Sequence, residues 1–237
     1  MSFLYVVATP IGNLEDITLR ALRVLTEVNL IACEDTRRTK ILLKRHGITT
    51  PTVSYHQHSK LTKIEWLVEQ LASGKDVALV SDAGTPGIND PGGRLIAEAI
   101  EKNSEFRSQN SEMIHIVPIP GANAGVTLLS ASGWPTDQYL FLGYLPKKKG
   151  RQTLFHKLQL TANNLQLPIV CYESPHRLVR RLRDFSNIFP DGRVIIGREL
   201  TKKFEEIWRG SLADAVSSWS GQTVRGEFVV IVSARDF

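Results

Sequence analysis

Short apolar runs alternate along the chain with segments whose apolar residues recur every three or four positions, and this alternation predicts an α/β protein. The runs 3–8, 29–33, 52–55, 76–81 and 113–118 have the length and near-continuous apolarity of strands buried on both faces. Among the last three, Ile64, Leu67, Val68 and Leu71 share a helical stripe that Gly74 would stop. A further helix, opening near Pro91-Gly92, would bury Leu95, Ile96 and Ala99. Strands separated by covering helices imply a mostly parallel sheet with flanking helices.

The rhythm resumes later, with a helix at 151–161, a strand at 167–172, a helix from about Pro175, and strands at 193–197 and 226–232. Residues 143–151 read as a break, and the polar stretch 103–112 reads as a solvated surface loop. Two domains are therefore expected: an N-terminal α/β domain over 1–120 and a smaller C-terminal α/β domain over 121–237.

Composition narrows the class. With 42% hydrophobic and 22% charged residues in 237, the chain is neither disordered nor fibrous. There is no run of 18 apolar residues, and the sequence opens directly on its first strand-like run without a signal-peptide pattern. A cytoplasmic protein that does not enter membranes is expected. Cys33 and Cys171 lie within apolar runs and read as buried thiols, while His56 and His58 lack further ligands at metal spacing, so no metal is expected.

Charge is unevenly distributed. Residues 1–121 hold 13 basic and 14 acidic side chains, whereas 122–237 hold 16 and 10, and the stretch 147–209 alone holds 14 and 6. Lys147, Lys148, Lys149, Arg151 and Lys203 join Arg177, Arg180 and Arg181 as a candidate surface for a nucleic-acid backbone. The three arginines are read as one face of the helix after Pro175, with Leu178, Leu182 and Phe185 on the other. Such charge gives affinity without sequence choice; Tyr144, Phe204 and Trp208 are candidate stacking platforms for unpaired bases.

Three Gly/Pro-rich segments follow predicted strands, where ligands bind in open α/β sheets: Ala8-Thr9-Pro10-Ile11-Gly12-Asn13-Leu14, the segment from Ser81 to Gly92, and Pro118-Ile119-Pro120-Gly121-Ala122-Asn123-Ala124. No G-x-G-x-x-G follows the first strand, no G-x-x-x-x-G-K-[ST] occurs, and the three loops contain neither lysine nor arginine. Dinucleotide and nucleoside-triphosphate sites thus lack their phosphate-binding parts. A cofactor without phosphates, such as S-adenosylmethionine, fits loops that offer backbone groups and the carboxylate of Asp82.

The first of these loops, Cys33-Glu34-Asp35-Thr36-Arg37, Ser81-Asp82-Ala83-Gly84-Thr85-Pro86, Tyr172-Glu173-Ser174-Pro175-His176-Arg177 and Arg198-Glu199-Leu200-Thr201-Lys202-Lys203-Phe204-Glu205 run in order over nearly the whole chain. Together they resemble the small-subunit ribosomal RNA methyltransferases of the tetrapyrrole methylase superfamily, the class III S-adenosylmethionine methyltransferases. The resemblance implies a two-domain fold with the cofactor between the domains, usually a homodimer. It also implies methylation of the ribose 2′-hydroxyl of a cytidine in the decoding region of 16S rRNA, on the small ribosomal subunit. Cofactor contacts are implied at Pro10, at Ala83, Gly84, Thr85 and Ile88, at Asn123 and Ala124, and at Glu173 and Gly210. Ala122-Asn123 departs from the pattern's proline and small hydroxyl residue.

Transfer from a sulfonium to a hydroxyl needs positioning and a proton acceptor. Glu199 is the candidate acceptor, with Arg37, Arg177 or Lys202 as candidates to hold flanking phosphates. Two other readings stay open. One is methylation of a tetrapyrrole carbon, whose carboxylates would also suit a basic face; the other is a non-catalytic RNA-binding protein, which would bind no cofactor.

Overall fold

The computed structural model describes residues 1–55, 61–90, 92–108, 113–165 and 167–234. The chain divides into two compact units, Met1–Asn123 and Ala124–Phe237, three residues beyond the boundary expected from sequence.

The first unit alternates β1 (Ser2–Val7), α1 (Leu19–Glu27), β2 (Leu30–Cys33), α2 (Thr36–Arg45), β3 (Thr52–Ser54), α3 (Leu61–Ala72), β4 (Val77–Val80), α4 (Gly92–Ser108) and β5 (Ile114–Ile119). Its sheet has the order β3-β2-β4-β1-β5, and every pairing is parallel. Burial on both faces explains the uninterrupted apolar runs. Val77 and Leu79 of β4 pack with Leu4, Leu67 and Leu95 in one core cluster, and Ala78 and Val80 pack with Val7, Leu25 and Ile31 in another. Because all five strands point the same way, the loops that follow them emerge at one end of the sheet.

The expected loop at 103–112 is corrected by the structure, since α4 continues to Ser108. Asn103 is the reason its polar sequence misleads. Its Nδ2 donates to the Ile114 carbonyl and its Oδ1 accepts from the Ile114 N–H, both at 2.8 Å, so the side chain serves as a strand partner at the start of β5. Residues 109–112 lie outside the described residues, as do Pro91, His56 and His58.

The second unit contains α5 (Ala124–Ser130), β6 (Leu140–Tyr144), α6 (Arg151–Leu165), β7 (Ile169–Glu173), α7 (Leu178–Ile188), β8 (Arg193–Arg198), β9 (Glu206–Ser211), α8 (Leu212–Trp219) and β10 (Phe228–Ser233). Its sheet has the order β6-β7-β10-β8-β9, with β6 parallel to β7 and the other pairings antiparallel. Strands β6, β7 and β8 therefore run in one direction and end at the same edge. Helices α7 and α8 cover this sheet through Leu178, Leu182, Phe185, Leu212 and Trp219. The break expected at 143–151 contains the end of β6, and β9 and α8 have no counterpart in the sequence expectations. Both cysteines are buried as expected, and burial pushes the Cys171 thiol up to about 12. Among the described residues no helix is long and apolar enough to cross a membrane.

Replacing Asn103 with alanine would strand both backbone groups of Ile114. The Asn103→Ala variant is expected to lose about 1–3 kcal/mol, read as a lower urea midpoint at unchanged m-value. A solvated loop residue would show no change.

Candidate functional site

In the first unit the three Gly/Pro-rich loops are knitted together at the C-terminal end of the sheet. Thr9 and Gly84 form an antiparallel bridge, Thr9 N–H donating to the Gly84 carbonyl at 2.9 Å and Gly84 N–H to the Thr9 carbonyl at 3.0 Å. The Thr9 hydroxyl also donates to the Ser81 carbonyl at 3.2 Å. The second loop is tied to the third by the Thr85 hydroxyl, which donates to the Ala122 carbonyl at 3.0 Å. The third loop lies close against the first at Gly121, where a Cβ would fall 2.8 Å from that of Ala8. Pro10 is buried in this assembly, whereas Ala83 and Ile88 are exposed, Thr85 and Asn123 half-buried, and Ala124 opens α5. Within the first unit, then, the fold gathers Pro10, Ala83, Gly84, Thr85, Ile88 and Asn123 on one edge.

A charged rim borders these loops. Asp82 accepts from the Asp35 N–H at 2.9 Å and lies 3.4 Å from the Arg38 guanidinium, so its carboxylate ties β4 to the start of α2. Asp35 caps α2 through the Arg37 N–H, and the Arg37 guanidinium grips the same carboxylate. That guanidinium holds the Asp35 carboxyl down at about 2. The Arg37 side chain itself stays 88% exposed. Thr9, Pro10, Leu14, Leu42, Arg38 and Asp82 line an open pocket between the first loop and α2. Glu34 carries no sequence signal that sets it apart from its neighbours. Burial raises its carboxyl above the ordinary range, the Asp82 charge raises it further, and a hydrogen bond from the Asp82 backbone only partly offsets these effects. Glu34 is thus a half-buried acid near the Asp82 charge at the loop end of the sheet.

The second unit divides the predicted basic surface in two. Leu178, Arg181, Leu182 and Phe185 form one buried stripe at i, i+3, i+4 and i+7, so Arg181, 2% exposed, lies on the apolar side of α7 rather than on the solvent face assigned to it. Its Nε donates to Glu173 at 2.8 Å, another guanidinium nitrogen meets Asp184 at 3.0 Å, and the third donates to the Pro146 carbonyl. Arg177 reaches the other Glu173 oxygen at 2.6 Å and the Leu145 carbonyl at 3.3 Å. Arg151 lies 3.6 Å from Asp184. Arg151, Arg177 and Arg181 are thus committed to a buried network that fixes the chain around Leu145 and Pro146. Lys147, Lys148, Lys149, Arg180 and Lys203 remain exposed.

Glu173, implied as a cofactor contact, is itself the centre of that network, 1% exposed with both carboxylate oxygens engaged. Gly210 pairs with Val194 on the edge strand β9, and a Cβ there would fall 2.5 Å from the Trp208 ring, so its lack of a side chain serves ring packing. Glu199 and Lys202 face each other at 3.1 Å, and Lys202 also meets Glu227 at 2.9 Å. Burial raises the Glu199 carboxyl, but the Glu227 N–H and the Lys202 ammonium outweigh it and hold the group below its ordinary range. Its Oε1 accepts from both the Lys202 ammonium and the Glu227 N–H. Glu199, the expected proton acceptor, also braces the loop after β8 through these contacts.

The chain matches the model of the Tetrapyrrole (Corrin/Porphyrin) Methylases over residues 3–216. It is 48% identical over 230 residues to the ribosomal RNA small subunit methyltransferase I of Halalkalibacterium halodurans, covering 97% of this chain and 75% of that one. It is 40% identical over 236 residues to the protein of the same name from Thermotoga maritima, covering 100% of both. Among solved structures it resembles the methyltransferase CobJ with a TM-score of 0.71 at 20% identity, over 98% of this chain and 94% of the other.

Because Glu173 is buried between two guanidinium groups, Glu173→Gln is expected to cost about 3–5 kcal/mol in unfolding free energy, as breaking a buried ion pair does. Lys148→Ala, on the exposed loop, should stay within about 0.5 kcal/mol of the parent. Equal effects on thermal or urea unfolding would contradict the division into anchors and surface.

Proposed function

The chain belongs to the tetrapyrrole methylase family, and on that premise we propose that it is an S-adenosylmethionine-dependent methyltransferase of small-subunit rRNA whose acceptor is a cytidine ribose 2′-hydroxyl in the decoding region. The carrying observation is where the sequence blocks that bear the resemblance fall. The blocks around Thr9, Glu34 and Ser81 meet at the loop end of the first sheet, and those around Glu173 and Glu199 follow β7 and β8 at one edge of the second. Relatives at 40–48% identity that carry the rRNA methyltransferase name favour this reading over methylation of a tetrapyrrole.

The knitted loops suit S-adenosylmethionine. They offer the exposed backbone around Ala83 and Ile88 and the Thr85 hydroxyl, which donates to the Ala122 carbonyl and can still accept, in loops that themselves contain no lysine or arginine. When bound, the cofactor supplies a methyl group on a sulfonium, an electrophile that needs no further activation. The chain's own contribution is to orient the acceptor and remove its proton. In this reading the Glu34 carboxylate accepts the 2′-hydroxyl proton, its raised affinity for protons making it a stronger base than an ordinary surface carboxylate. Arg37, with its exposed guanidinium, holds a flanking phosphate. Lys147, Lys148, Lys149 and Arg180 supply attraction to the RNA backbone.

Labelled S-adenosylmethionine and small subunits lacking native methylation provide the test. The label should map to one ribose, seen as resistance to alkaline cleavage; label on a base, or on a tetrapyrrole only, would overturn the reading. In the same assay, turnover should fall as pH drops through the elevated Glu34 titration, above the ordinary glutamate range near 4.3. Glu34→Gln should lose that limb together with most of its rate.

A further inference from the structure

The connection between β8 and β9 is held more firmly than a solvent-exposed loop needs. Glu199 N–H donates to the Glu227 carbonyl at 2.9 Å, and the Glu199 side chain accepts from the Glu227 N–H at 2.8 Å. Lys202 N–H donates to the Glu199 carbonyl, Glu205 N–H to the Lys202 carbonyl, both at 3.0 Å, and Thr201 N–H to the Glu205 carboxylate. Lys202 Nζ joins Glu199 to Glu227 on the neighbouring strand lead-in. Two non-glycine residues, Glu199 at φ 49° and Thr201 at φ 66°, are kept in the left-handed region. Backbone of that kind persists only where its surroundings over-determine it.

What this brace displays is a single ring. Phe204 is 70% exposed, the most exposed aromatic side chain among the described residues, with the Lys203 ammonium 5.6 Å from its centroid. The loop follows β8, so it emerges at the edge where β6 and β7 also end. That edge carries the exposed Lys147, Lys148 and Lys149 and the half-exposed Tyr144. A rigid aromatic face beside cations is the arrangement that stacks an unpaired base while the backbone is held electrostatically.

We propose that the braced β8–β9 loop is a stacking platform for one unpaired rRNA base, with Phe204 as the ring and Glu199 and Lys202 as positioning residues that hold it. The assignment rests on the rRNA reading above and deepens it by naming where a base is gripped. Phosphate neutralisation and stacking leave different traces: the first sets the salt slope of binding, the second changes affinity at constant slope.

The test measures binding of the full chain to under-methylated small subunits at several salt concentrations. Phe204→Ala should weaken binding about tenfold, within the range expected for loss of one stacked base. Its salt slope and S-adenosylhomocysteine affinity should match those of the parent. Phe204→Trp should restore binding, and Lys148→Ala should instead flatten the slope. Parent-like binding by Phe204→Ala would overturn the platform, as would a change in its oligomeric state, which would assign the ring to a second copy of the chain. Methyl transfer by the parent protein is assayed in parallel, so its failure would indict the rRNA reading and leave the loss of binding by Phe204→Ala to be judged separately.

Discussion

Strand direction is the constraint on which both candidate edges depend. A βα loop emerges where its strand ends, so five parallel strands deliver every loop of the first unit to one edge. Direction brings the loops near, and specific bonds then join them. The paired Thr9 and Gly84 backbones, the Thr85 hydroxyl on Ala122 and the side-chain-free approach of Gly121 to Ala8 convert three separate turns into one surface. In the second unit the sheet is mixed, yet β6, β7 and β8 still agree in direction. The segments after β6 and β7 carry excess positive charge, whereas residues 199–205 after β8 balance Lys202 and Lys203 against Glu199 and Glu205.

Positive charge in the second unit has two physical fates. Arg177 and Arg181 are neutralised by Glu173 and donate further to the carbonyls of Leu145 and Pro146, to Ser174 and to Asp184. A buried ion pair of this kind contributes little net stability compared with an apolar core, but it fixes geometry because leaving either partner unpaired is costly. The lysines that follow Pro146 are thereby presented from an anchored base. The Glu199–Lys202–Glu227 group does the same on a smaller scale for the loop after β8.

The sequence made the first unit largely legible, because near-continuous apolar strands and stripes such as Ile64–Leu67–Val68–Leu71 carry strong periodic signals. Strand β9 was missed for the opposite reason: an edge strand reading Glu-Ile-Trp-Arg-Gly-Ser is exposed or half-buried throughout and shows no clean alternation. The polar end of α4 looked like a loop because the bonds from Asn103 to Ile114 join elements and leave no local trace. At the candidate site, the three loops could be found from glycine and proline alone. The roles of Glu173, Arg181 and Glu199 could not, since each is set by a partner on another element. Glu34 was visible only as part of a motif, because its raised proton affinity comes from burial and from Asp82 across the sheet.

The cofactor is proposed to sit on the first unit's knitted loops and the RNA backbone to be gripped by the second unit's, with only the acceptor ribose and its flanking phosphate at Glu34 and Arg37, and amide hydrogen exchange with each ligand alone tests this most directly. S-adenosylhomocysteine should protect residues 8–14, 81–90 and 118–124 while leaving 199–205 unchanged. Under-methylated small subunits, added without cofactor, should protect 144–151 and 199–205. Protection by S-adenosylhomocysteine that spares the three knitted loops, or subunits that leave the second unit's loops exchanging freely, would contradict the account.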